Sequence, residues 1–304
     1  MFPAGPPGGV GVALGGGAAR GIAHVGALKA LDAAGVNVTG VAGTSYGAVI
    51  AALYALGSPA LEIERIVRTQ DVAELWRQSL DLGWHEGAIV RGRRLSDWLD
   101  RKFFMGATFQ DLSVPLAVAC TELATGRLRV VRSGRVADAV RASCALPGVF
   151  APVRLGDAVL IDGGLVETVP FAALATLGPS LMIGVHAGVD VSRSRLALAL
   201  RRFAASPRGR AYYRRSAGWV GGGALRHLAR GLAISARSYS RPVRAPRGAH
   251  LVSVEPGVAW WDFHRSPQSI AAGEEAMSGL VGRLRAAGRL PNRRPGAVPA
   301  SPGG

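Results

Sequence analysis

Apolar residues follow two rhythms in the first part of the chain. Residues 10–14 and 36–42 are short, almost unbroken apolar runs with the length of strands buried on both faces. Between them Ile22, Val25, Leu28 and Leu31 recur at helical spacing, which predicts a helix over 22–34 ended by Gly35. A nearly all-apolar helix is expected over 48–56, stopped by Gly57-Ser58-Pro59. Such alternation of strand and helix predicts a parallel sheet covered on both faces.

Later segments carry the same reading forward. Helices are predicted over 60–80 and 92–102, the second capped by Ser96 or its neighbours. Residues 114–122 and 127–131 are expected to pair antiparallel around Ala124-Thr125-Gly126, before a helix over 136–143. A short hairpin over 153–161 turns at Gly156-Asp157 and runs into Asp162-Gly163-Gly164. One more buried strand, 181–185, leaves His186 at its end; 250–254 and 267–290 supply a last strand and helix. One domain over 9–290 is expected, with a flexible leader at 1–8 and a disordered Pro/Gly/Arg-rich tail at 291–304.

Composition changes this picture little. The 304 residues are enough for one large α/β domain with a full core. Two cysteines, Cys120 and Cys144, make no disulfide framework and suit a reducing compartment. Neither a signal peptide nor an uninterrupted apolar run of membrane-spanning length is evident, so a cytoplasmic protein is expected. Charge changes it more. The net charge is +16, and all basic residues but Lys29 and Lys102 are arginine. Fourteen arginines fall in 187–250 against one acid, Asp190, with Phe203, Tyr212, Tyr213, Trp219 and Tyr239 among them. Residues 196–205 (LALALRRFAA) are suited to lie on an anionic bilayer or to form a solvated cover helix. No nucleic-acid reader motif accompanies the charge, so no specific nucleic acid is expected as a partner. No cluster with metal-ligand spacing is found, and no metal or cofactor is expected.

Two glycine turns carry the candidate chemistry. Gly15-Gly16-Gly17-Ala18-Ala19-Arg20-Gly21 opens a helix, where backbone amides favour an anion such as a tetrahedral oxyanion. A dinucleotide fingerprint fails there in both registers: from Gly15 the sixth position is Arg20, and from Gly16 the third is Ala18. Arg20 either adds a positive field or pins the loop. The second turn, Gly43-Thr44-Ser45-Tyr46-Gly47, has the G-x-S-x-G form that raises a serine between a strand and a helix. A serine nucleophile needs a base. His24, on the first helix, reads as a packed histidine, and His186 is the best placed of the six. Asp162 is better placed than either, following an apolar strand and preceding two glycines, although local sequence reads equally as an ordinary Asp-Gly turn.

Together, the glycine loop with Arg20, G-T-S-Y-G at Ser45 and D-G-G at Asp162 resemble the patatin-like phospholipases. Leu82-Gly83-Trp84, Val90-Arg91-Gly92, Arg141-Ala142-Ser143-Cys144 with Pro147-Gly148, and Asp262-Phe263-His264-Arg265 resemble its small stand-alone bacterial branch, RssA-type. The likeness is close over 10–185 and looser over 250–290. It implies a three-layer α/β/α fold with a mostly parallel central sheet, and a Ser–Asp dyad without histidine. Ser45 would be the nucleophile and Asp162 the general base. The oxyanion hole would lie at Gly16, Gly17 and Ala18, near Arg20. Gly15, Gly21, Gly43, Gly47, Gly163 and Gly164 would shape the motifs. Ala18 stands where the family often has glycine, which matters little if its φ is negative. The implied activity is calcium-independent hydrolysis of phospholipid, lysophospholipid or related esters, with possible peripheral contact to an anionic membrane at the inner face. The alternative is a basic peripheral membrane-binding or regulatory protein in which the hydrolase site is secondary.

Overall fold

The computed structural model describes residues 9–69, 81–85, 88–188, 199, 202–203, 205–217, 224–238, 243–259 and 261–291. The expected leader, residues 70–80 of the expected third helix, most of 196–205 and the tail from 292 lie outside these residues.

The chain begins β1 (Val10–Leu14), α1 (Ala23–Ala33), β2 (Val38–Thr44), α2 (Tyr46–Ala55), α3 (Ala60–Thr69). There follow β3 (Leu82–His85), β4 (Ala88–Val90), α4 (Arg93–Leu99), β5 (Leu116–Glu122), β6 (Leu128–Val131), α5 (Val136–Ser143) and β7 (Gly148–Phe150). Then come β8 (Val153–Leu155), β9 (Ala158–Asp162), α6 (Phe171–Ala175), β10 (Leu181–Ala187), α7 (Pro207–Ala217), α8 (Ala224–Ser238), β11 (His250–Val254) and α9 (Ser266–Ala286).

An eight-stranded sheet runs in the order β11-β10-β1-β2-β5-β9-β8, with β6 also on β5. Strands β11, β10, β1, β2 and β5 are parallel, whereas β6, β9 and β8 join antiparallel. The two faces differ in residue size. Val10, Val12, Leu14, Leu116 and Val118 point to the side that holds α1, α2 and α9. Ala13, Ala42, Ala117 and Ala119 line the other, where small side chains let the short helix α6 lie close. Helix α9 crosses α1 at backbone contact: a methyl on Gly26 would sit 1.8 Å from the Ile270 carbonyl oxygen, and one on Gly273 1.9 Å from that of Ala23. The last helix is thereby locked to the first.

Several boundaries differ from the hydrophobic pattern for local reasons. β2 runs on to Thr44 and α2 starts at Tyr46, two residues early, because Ser45 makes the whole turn. A 3-10 turn, Ala18–Ile22, precedes α1. Helix α4 is capped from outside, not by Ser96: the Asp81 carboxylate accepts from the Gly92, Arg93 and Arg94 amides at 2.6, 3.0 and 3.4 Å. His186 is inside β10, not at its end. The expectation of 250–254 as a strand holds to the residue.

Candidate active site

β1 and β2 are adjacent parallel strands, with Leu14 opposite Gly43, so both glycine turns leave the same end of the sheet. Ser45 has φ 52° and ψ −127°, a conformation costing a side-chain-bearing residue about 1–3 kcal/mol. Close packing forces it. A methyl on Gly43 would meet the Ala48 Cα at 2.3 Å, and one on Gly47 the Leu14 carbonyl oxygen at 2.3 Å. The Ser45 amide donates to Ser143 Oγ (2.8 Å), and that fully buried hydroxyl donates on to the Ala119 carbonyl (2.7 Å). Ser143, at the end of α5, is thus a brace for the strained turn.

Asp162 arrives from the opposite direction along the same strand edge. β5 pairs β6 through Val118–Thr121, so the other edge of β5 carries both β2 and β9. There Thr44 faces Ala119 and Asp162 faces the next residue, Cys120. The two strands meet head to head, bringing residues 45 and 162 together. The buried Asp162 carboxyl accepts from the Gly164 amide (2.8 Å) and lies within hydrogen-bonding reach of the Ser45 side chain. Burial pushes its pKa up to about 6, partly offset by those two donors. The Cys144 thiol is beside the same pair, and burial together with the Asp162 charge pushes it up to about 12, so it stays protonated.

The glycine turn lies against this pair, since a methyl on Gly16 would be 3.6 Å from Ser45 Cβ. Its amides are not equivalent. Gly15 donates to the Val185 carbonyl and Gly16 to that of Thr168, both at 3.0 Å. The expected oxyanion donor Gly16 is therefore already committed. The amides of Gly17 and Ala18, at the head of the 3-10 turn, have no backbone acceptor among the described residues. Ala18 has φ 49°, so the negative φ supposed for it is wrong, and the position carries the strain that glycine would relieve. Arg20 pins the loop, as one of its two readings expects: its Nε donates to the Val258 carbonyl (2.8 Å). His24 is fully buried, its Nε2 sits 2.7 Å from the Gly15 carbonyl, and burial lowers its pKa to about 4. A carbonyl only accepts, so the neutral ring donates from Nε2 to the loop.

With this geometry in view, the model of the patatin-like phospholipases matches residues 12–175. The chain belongs to the patatin-like phospholipase family. It is 33% identical over 181 residues to lysophospholipase nte1 of Emericella nidulans, covering 59% of this chain and 12% of that protein. To an uncharacterized NTE family protein of Mycobacterium tuberculosis it is 32% identical over 185 residues, covering 58% of this chain and 48% of that one. The chain thus spans at most about half the length of these relatives. VipD from Legionella pneumophila aligns with 93% of this chain and 68% of its own, at 16% identity and a TM-score of 0.49.

In this patatin-like chain, two of the stretches noted in the sequence, around Arg141 and Phe263, have structural roles beside the site. Phe263 packs its ring 5.9 Å from that of Tyr46, next to Ser45. Arg141, buried, donates to the carbonyls of Gly92 (2.9 Å), Arg91 (2.6 Å) and Ala151 (2.9 Å), tying the 91–92 and 151 segments to α5. A cavity of about 550 Å³ between α6 and residues 243–246, with Glu167 and Thr168 in its wall, lies behind the glycine turn rather than at Ser45.

Proposed function

We propose that the protein is a serine-dependent lipid acyl hydrolase that cleaves fatty-acyl esters of phospholipids or lysophospholipids through a Ser45 acyl-enzyme. The observation that carries this reading is the head-to-head meeting of β2 and β9 on β5, which sets a buried carboxyl beside a strained serine. Asp162 takes the Ser45 proton as Oγ attacks the ester carbonyl. The Gly17 and Ala18 amides receive the oxyanion, with Arg20 holding their loop in place. Collapse of the tetrahedral intermediate expels the alcohol, which takes the proton from Asp162. Water, deprotonated by Asp162, then attacks the acyl-serine, and the fatty acid leaves as Ser45 regains its proton. A raised carboxyl pKa favours this work, since a base poised near neutrality both accepts and returns a proton.

The test is hydrolysis of a medium-chain p-nitrophenyl ester and of lysophosphatidylcholine by wild type, Ser45→Ala and Asp162→Asn. Each variant is expected to lose at least about a thousandfold in kcat, with wild-type rates unchanged by a calcium chelator. Full activity in either variant defeats the dyad.

A further inference from the structure

Helix α8 carries large apolar residues on its outer face. It turns His227, Arg230, Ala233 and Ile234 inward, all buried, while Leu225 and Leu232 are 71% and 55% exposed. Residues 225, 229 and 232 fall on one helical face. Helix α7 continues that face, for the Tyr212 hydroxyl donates to the Ala229 carbonyl (3.3 Å) and the Tyr212 ring lies 6.4 Å from that of Phe203. Both rings are exposed. A helix on a water-facing surface keeps its leucines turned inward. A contiguous exposed apolar face signals something that covers it.

Charge identifies the cover. From residue 191 to 254 the sequence contains no acid. Arg208 and Arg215, about one turn either side of Tyr212, and Arg226, beside Leu225, are all exposed. A second copy on this face would set arginine against arginine, which opposes self-association. An anionic bilayer satisfies both sets of residues, taking the apolar ones at the acyl boundary and the arginines on its phosphates. The position fits as well. Gly231 of α8 lies against the Pro147 ring and Leu228 against Gly148, just beyond the Cys144 that adjoins Ser45.

We propose that the outer face of the α7–α8 pair, formed by Phe203, Tyr212, Leu225 and Leu232 with flanking arginines, docks the protein on an anionic lipid bilayer. The purpose of docking rests on the lipid-hydrolase reading; the binding itself requires nothing of Ser45.

Sedimentation of the full chain with phosphatidylcholine vesicles, with and without phosphatidylglycerol, tests this. Binding is expected to be at least about tenfold tighter to the anionic vesicles and to weaken several-fold from low to physiological salt. Leu225→Ser with Leu232→Ser, at exposed positions where the fold is retained, should lower it at least about tenfold. Arg208→Gln with Arg215→Gln should lower it by a similar factor and flatten the salt dependence. Both double variants should hydrolyse a water-soluble short-chain ester at the wild-type rate. Equal binding to neutral and anionic vesicles, or wild-type binding by the leucine variant, overturns the proposal. So does a changed oligomeric state in the leucine variant with vesicle binding intact, which assigns the face to a second copy. A chain that docks as expected but hydrolyses no ester leaves docking standing and defeats the hydrolase reading instead.

Discussion

Asp162 is kept where a carboxylate is least comfortable. Its pKa is raised from the ordinary carboxylate value to about 6, so between roughly pH 4 and 6 the folded chain holds a proton that the unfolded chain has released. Stability therefore falls as pH rises through that window and stays lower above it. Asp162→Asn, neutral at every pH, is expected to raise the thermal midpoint at pH 8, by the equivalent of about 3 kcal/mol. At pH 4 the two proteins should melt alike. The activity runs the other way: kcat should rise with pH along a limb centred near 6, because only the ionised carboxyl is a base. His24 is the second residue with a definite expectation. The Gly15–Gly16 peptide is held at both ends, its carbonyl by the His24 ring and its amide by the Thr168 carbonyl. His24→Leu frees one end of that peptide and lets the neighbouring Gly17 and Ala18 amides, the proposed oxyanion donors, swing. A fall in kcat of about 10- to 100-fold, with KM within about twofold, is expected, and partial rescue by His24→Asn. From the sequence, His24 looked like a packed histidine. Burial agrees with that reading, but the partner it packs on was invisible there because the hydrogen bond spans a turn whose shape no side chain announces.

At the level of elements, legibility followed how much a segment depends on its own residues. β1, α5 and β11 are specified by local apolar runs and periodicity, and their limits in the sequence and the structure coincide. Helix α6 has five residues, too few for a period to show, and the small sheet of β3, β4 and β7 is assembled from segments of three or four residues. The cap of α4 comes from Asp81, eleven residues before Gly92, which no capping pattern would reveal. Two elements carry predictions. Gly26→Ala or Gly273→Ala pushes α1 and α9 apart at a backbone contact, and a loss of about 1–3 kcal/mol in chemical denaturation is expected. Arg230, buried in α8, donates to the carbonyls of Leu123, Ala124 and Tyr213 and to Ser216 Oγ. Arg230→Met strands these acceptors together, and α7–α8 should then open to protease well before the sheet does.

For the whole molecule, the family match ends at residue 175, yet the site does not. Arg20 hangs the glycine turn on Val258, Phe263 shields Tyr46, and α9 is locked to α1. A chain ending before β11 is accordingly expected to lose esterase activity and cooperative melting together, which circular dichroism and the ester assay would show. The sequence made the Ser45 turn and the Asp-Gly-Gly turn visible as motifs, but it could not say which amides of the first turn lack a backbone acceptor among the described residues. That depends on Val185 and Thr168, carbonyls of strands and loops remote in sequence.

The meeting of β2 and β9 on one edge of β5 has a consequence for how this chain can change over evolutionary time. The separation of Ser45 from Asp162 is measured out by one peptide step of β5, from Ala119 to Cys120, and not by the segments that connect them. Insertions between the two, outside β5, can lengthen or shrink without altering that interval, so a module added there leaves the alignment of the pair unchanged. A single residue added within β5 is a different matter: it shifts the ruler itself and turns every side chain beyond it to the opposite face.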